Sequence, residues 1–93
     1  MQAVTSPYSV LVVDDEPSIG KLLKKELSSP ARAVSSVETA HQAREMLRRN
    51  LYEVVVLDLR LPDADGLDLL VEIRQHLPDV EVIIITGHGN IDS

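Results

Sequence analysis

Four short apolar runs punctuate the chain, and between them apolar positions recur with the spacing of a helix face. The run "YSVLVV", Tyr8 to Val13, is nearly continuous and ends abruptly in Asp14, Asp15 and Glu16. Apolar runs without alternation suit strands buried on both faces, as in a parallel sheet. Pro17 then falls where a first helical turn tolerates it, with acids ahead that suit a helix N-terminus. Ile19, Leu22, Leu23 and Leu27 follow at helical spacing with lysines between them, and Ser28, Ser29 and Pro30 close that helix. "ARAVSSV", Ala31 to Val37, reads as a weaker strand whose small and polar residues suit a sheet edge.

Thr39 with Gln42 three places on reads as a capping box, opening a helix through Asn50 whose apolar stripe is Ala40, Ala43, Met46 and Leu47. "EVVVLD", ending at Asp58, is a third strand. After a loop containing Pro62 and Gly66, a helix is expected from about Gly66 to Leu77, stopped by Pro78. "EVIIIT", Glu81 to Thr86, is a fourth strand and the most hydrophobic of all, followed by "GHGNIDS". The order is β-α-β-α-β-α-β. Regular alternation with short loops predicts an α/β fold, a doubly wound parallel sheet with right-handed crossovers and helices on both faces. In such sheets ligands bind beyond the carboxyl ends of the strands.

Composition narrows the class. A length of 93 residues suffices for one domain, residues 1–93, and 44% hydrophobic residues exclude a disordered tail. With only Tyr8 and Tyr52 aromatic, Val, Leu and Ile must build the core. The absence of cysteine excludes disulfides and thiolate metal sites. No export signal and no run long enough for a membrane span are visible, so the expected location is cytoplasmic, with no membrane partner. A net charge of −6 argues against direct contact with nucleic acid. The basic clusters Lys21, Lys24, Lys25 and Arg44, Arg48, Arg49 read as solvated helix faces.

The chemistry collects at strand ends: Asp14 and Asp15 after the first strand, Asp58 after the third, Thr86 after the fourth. If these strands are neighbours, three carboxylates and a hydroxyl converge at one rim. Like charges at about 4 Å repel by roughly 4 kcal/mol at an effective dielectric near 20, so a cation must offset them. Hard carboxylate oxygens without His or Cys select Mg²⁺.

The motifs "VVDDEP", "VVVLDLRLPDADGL" and "VIIITGHGN" together resemble the receiver domain of two-component response regulators, over nearly the whole chain. Asp58 lies 44 residues after Asp14, Thr86 lies 28 after Asp58, and Pro62 and Gly66 fall where the family's loop places them. The "TGHGN" variant is similar to receivers of the sigma-54-dependent activators and also to those of some other DNA-binding regulators. The resemblance implies a flavodoxin-like fold and a phosphorylation-controlled switch in signal transduction, not an enzyme, that relays to an output domain, expected to regulate transcription. It implies Asp58 as phosphoacceptor for a sensor histidine kinase. Asp15 and Asp58 would ligate Mg²⁺ directly and Asp14 largely through water, with the Arg60 backbone carbonyl as a further ligand. The Thr86 hydroxyl and the Gly87 amide would hold the phosphoryl group.

The chain departs from the family after the fourth strand: receivers continue through a helix, a fifth strand carrying a Lys and a final helix, and no Lys follows Lys25 here. The expectation is a receiver incomplete at its C-terminus, in which phosphorylation is impaired and Val82 to Ile85 forms a bare apolar edge, joining copies into a homo-oligomer. A receiver-like interaction module that is poorly phosphorylated is the alternative. An aspartate-nucleophile phosphohydrolase is a weaker one, since Arg60 stands where that class places a second acid. Blander readings stand beside these. Asp14 and Asp15 would cap the first helix, Asp63, Asp65 and Asp68 would be turn and helix-start residues rather than ligands, His41 and His76 would be exposed helix residues, and His88 would line the site without binding metal.

Overall fold

In the computed structural model, which describes residues 8–85, four parallel strands form one sheet: β1 (Tyr8–Val13), β2 (Arg32–Val37), β3 (Val54–Asp58) and β4 (Glu81–Ile85). Helices α1 (Pro17–Leu27), α2 (Ala40–Arg49) and α3 (Gly66–His76) connect them. The strand order is β2-β1-β3-β4, so the direction of winding reverses after β2, and α1 lies on the opposite face from α2 and α3. Every predicted element is present, with ends within two residues of those read from the sequence.

Two cores, one per face, explain the unbroken apolar runs. Leu11 and Val13 of β1 and Val55 and Leu57 of β3 pack with Ala40 and Ala43 of α2 and Leu69 and Ile73 of α3. The alternate residues Val10, Val12, Val54 and Val56, with Val34 of β2, form the other core, against which Leu23 and Leu27 of α1 rest. Each fully buried Val or Leu stabilises the fold by about 1.5–3 kcal/mol relative to exposure. A central strand here serves two cores at once, so neither set of its alternating residues is polar.

Three local features differ from the sequence reading. Leu22 is exposed: positions four apart share a helix face, so Leu23 and Leu27 take the sheet while Leu22 sits about 100° away. The Gln42 side chain accepts from the amide of Glu38, not of Thr39, while Thr39 Oγ1 accepts from the Gln42 amide as expected. Arg44 is partly exposed, as expected of a helix face, but it is paired. Its guanidinium makes two parallel bonds to the Glu72 carboxylate of α3, at 2.9 and 2.8 Å.

Both sheet edges behave as their composition suggests. β2, with Ser35 and Ser36, is one edge, and α1 approaches it so closely that a Cβ on Gly20 would lie 2.6 Å from Ser36 Oγ. The other edge is β4, where Ile83 and Ile84 are 53% and 37% exposed. Among the described residues β4 hydrogen-bonds only to β3. The strand order thus leaves the most hydrophobic strand half-covered, at the edge expected for Val82 to Ile85.

Candidate functional site

Strand pairing builds the site. β1 and β3 are parallel neighbours with Val13 opposite Leu57, so the next residues along, Asp14 and Asp58, emerge side by side. On its far side β3 pairs with β4, with Asp58 opposite Ile85. The expected contributors Thr86 and Gly87, and His88, follow Ile85 and lie outside the described residues.

Asp14 and Asp58 are 2% and 0% exposed, the two buried acids of the described residues, while Asp15 is exposed at the rim. One carboxylate oxygen from each of the three lies within 4.8 Å of the others. Two of the three are oriented the same way: Asp14 Oδ1 accepts from the Glu16 amide at 2.8 Å, and Asp58 Oδ1 from the Arg60 amide at 3.0 Å. An Asp hydrogen-bonding the amide two residues on turns the chain sharply at a strand end. The Asp14 amide donates to Val37 O at 3.0 Å, tying the β1 terminus to β2 as well. Asp14 and Asp15 do not cap α1, whose N-cap is Glu16 with no side-chain cap bond.

Burial pushes the Asp14 carboxyl above the ordinary carboxylate range; the Glu16 amide pulls it down, and the nearby Asp58 and Asp15 charges raise it further. Two buried carboxylates about 5 Å apart repel by roughly 3 kcal/mol at an effective dielectric near 20. The donor set is all hard carboxylate oxygen, with neither imidazole nor thiolate, and it therefore suits a small divalent cation such as Mg²⁺.

The loop beyond Asp58 is fixed at several points. The Gly66 amide donates to Leu59 O at 3.0 Å, and Arg60 and Asp65 form an isolated antiparallel bridge. Asp65 caps α3 by accepting from the Leu67 amide, as a turn-and-helix-start acid should. A Cβ on Gly66 would lie 2.5 Å from Leu59 Cα and 2.7 Å from Asp58 O, so only glycine lets α3 start directly against the backbone that carries Asp58. Asp63 is a helix-start residue whose partners sequence reasoning missed. Its carboxylate serves neither the turn nor α3. Oδ1 accepts from the Ala40 amide at 2.8 Å and Oδ2 from the His41 amide at 2.9 Å, both at the start of α2. Those bonds hold its carboxyl below the usual range. His41 and His76 are exposed, as expected.

The family profile of the response regulator receiver domain matches residues 10–93. Among curated proteins, the response regulator protein PilR of Pseudomonas aeruginosa is 39% identical over 88 residues, covering 95% of this chain and 20% of PilR. The transcriptional regulatory protein GlrR of Escherichia coli is 38% identical over 85 residues, covering 91% of this chain and 19% of GlrR. The chain thus spans about a fifth of the length of these relatives. Among solved structures, the response regulator TrrA of Thermotoga maritima in complex with Mg²⁺–BeF superposes with a TM-score of 0.77 at 35% identity, covering 83% of this chain and 67% of that one. TrrA bound to the histidine kinase ThkA gives a TM-score of 0.80 at 34% identity, over 92% of this chain and 74% of that one.

Proposed function

The chain belongs to the response regulator receiver family, and from that premise we propose that Asp58 accepts a phosphoryl group from the phosphohistidine of a sensor histidine kinase, in a Mg²⁺-dependent reaction. The observation that carries this reading is the convergence of the Asp14, Asp15 and Asp58 oxygens at the carboxyl ends of β1 and β3. A carboxylate oxygen of Asp58 attacks phosphorus in line. The new O–P bond forms as the N–P bond breaks, and the departing imidazole keeps the electron pair and takes up a proton. Strand β3 aims the nucleophile, and the Arg60 amide on Oδ1 fixes its rotation. Asp15 and Asp58 would hold Mg²⁺ directly and Asp14 through water, with the Arg60 backbone carbonyl as a further ligand. Held by these residues, Mg²⁺ would supply positive charge to offset that gathering on the phosphoryl oxygens. The Thr86 hydroxyl and the Gly87 amide are proposed to bind the product phosphoryl group, which links phosphorylation to the segment after β4.

The output is proposed to be transcriptional, of the sigma-54-dependent kind that "TGHGN" resembles. The cytoplasm is the setting in which a kinase and a regulator would meet, and no described helix is long and apolar enough to cross a membrane. This domain's net charge of −6 supports a role without direct nucleic-acid contact. The test is transfer from a ³²P-labelled histidine kinase. In Mg²⁺ the label should pass to the protein and map to the peptide containing Asp58; label retained by the kinase, or recovered on another residue, sinks the reading.

We further propose that the β4 edge pairs with another strand, since its backbone donors and acceptors lie beside exposed Ile83 and Ile84. The partner proposed is a second copy of this chain. Light scattering at micromolar concentration should then give at least a dimeric mass, and a stable monomer would exclude this pairing.

A further inference from the structure

Asp63 connects the loop after Asp58 to the start of α2. A groove of about 410 Å³ lies between α2 and α3, floored by Leu47, Leu69, Ile73 and Leu77. The Arg44–Glu72 pair crosses it, with both side chains more than 40% exposed. The start of α2 is gripped differently. Two of its amides, of Ala40 and His41, donate to the two oxygens of Asp63, and a third, of Gln42, donates to Thr39 Oγ1 at 3.0 Å. Thr39 belongs to the segment leading into α2, whereas Asp63 belongs to the loop that follows Asp58. A carboxylate at a helix start is stabilising, and a bidentate grip also fixes position.

The same loop is anchored at its root by the Arg60 amide on Asp58 Oδ1, by Gly66 on Leu59 O and by the Arg60–Asp65 bridge. Its apex is anchored by Asp63 alone among the hydrogen bonds of the described residues. We propose that Asp63 is a positioning residue for the acidic pocket: by clamping the β3–α3 loop to the N-terminus of α2, it fixes the backbone around Arg60 on which metal binding and phosphorylation of Asp58 depend. This rests on the phosphoacceptor reading above. The clamp also makes α2 sensitive to the pocket, because a shift of the Arg60 backbone pulls on the first turn of α2 through a rigid pair of bonds.

Thr39 supplies the control. Thr39→Ala removes a cap bond from the same helix end without touching the loop, so a purely structural role for Asp63 would make T39A and D63A alike. The measurements, on the intact protein, are melting temperature, Mg²⁺ affinity by calorimetry, and the rate at which a small phosphodonor such as acetyl phosphate produces an adduct by intact mass. T39A and D63A should both melt lower. Only D63A should lose Mg²⁺ affinity, by about tenfold, the scale of a lost supporting partner at a metal site, with adduct formation slowed in step. Asp63→Asn keeps one acceptor oxygen, so D63N should fall between wild type and D63A; it also reads the clamp if D63A does not fold. Mg²⁺ affinity in D63A and D63N equal to wild type, or lost equally in T39A, overturns the clamp. A wild-type protein that binds no Mg²⁺ and takes no phosphate overturns the phosphoacceptor reading, and the clamp with it, a result distinct from either of those.

Discussion

Asp58→Asn should abolish the phosphate adduct and, in the absence of Mg²⁺, make the protein more stable. Both effects come from one carboxylate. Asn retains the oxygen that accepts from the Arg60 amide, so the turn after β3 survives, but it cannot serve as the nucleophile. It also removes one of two buried carboxylates that face each other across the ends of β1 and β3. Relief of that repulsion should raise metal-free stability by about 2 kcal/mol, or the melting temperature by roughly 10 °C for a domain of this size. Mg²⁺ reverses the order: wild type should gain stability with rising Mg²⁺ by mass action, whereas D58N should respond weakly. Calorimetric melting with and without Mg²⁺ measures both, and a D58N protein that melts below wild type without metal would refute the repulsion account.

The pH dependence of that difference has a definite sign. Asp14 has a folded-state pKa raised above its ordinary value, chiefly by burial. The stability associated with it is therefore fully present below the unfolded value, 3.8, and is lost as pH rises through the higher folded value. Above that higher value Asp14 carries its charge beside Asp58 at the greatest cost. The advantage of D58N should accordingly be largest there and shrink on acidification, as Asp14 takes up its proton. Asp63 and Glu72 act in the opposite sense. Their pKa values are lowered, by the α2 amides and by Arg44 respectively, so their contributions persist above the ordinary carboxylate values and fade below them. D58N leaves both untouched, and the difference from wild type isolates the acidic pocket.

What was legible in the sequence is what local rules encode. An apolar run ending in an acid marks a strand delivering a carboxylate to a rim, and two such runs separated by helical patterns bring their acids to one rim once the sheet is parallel. Strand order supplied the rest: β1 beside β3 is what joins Asp14 to Asp58. The misses share a cause. Asp63 stands in a Pro/Asp/Gly turn and looks like turn chemistry, yet both partners are amides more than twenty residues upstream. Arg44 stands in a basic cluster and looks solvated, yet its partner is on the next helix. Neither pairing follows a period or a local offset, so no reading along the chain reveals it. Leu22 failed differently, because a stripe of four leucine and isoleucine positions is wider than the face that α1 presents to the sheet.

Gly66 and Gly20 offer a paired experiment in which the same substitution should have opposite consequences. Both are buried helix residues, and in both a Cβ would meet a neighbour well inside contact distance. The neighbours differ. At Gly20 the closest atom is Ser36 Oγ at 2.6 Å, the tip of a side chain that can rotate away. Ala there should gain roughly the helix-propensity difference of about 1 kcal/mol and leave stability near wild type or slightly above it. At Gly66 the obstacles are Leu59 Cα at 2.5 Å and Asp58 O at 2.7 Å, backbone atoms held by the Gly66–Leu59 hydrogen bond and the β3 ladder. Gly66→Ala must push α3 away from the end of β3, disturbing the fully buried Leu69 and Ile73 and moving the peptide that carries Asp58. Overpacking of this kind costs about 1–3 kcal/mol or more, larger than any propensity gain. Chemical denaturation should therefore place G66A about 3 kcal/mol below wild type, a large share of a small domain's total, and Mg²⁺ affinity should fall with it, while G20A keeps both. Equal stability of the two variants would mean that α3 is not seated on the Asp58 backbone as described, and the rigid aiming of the nucleophile would lose its structural basis.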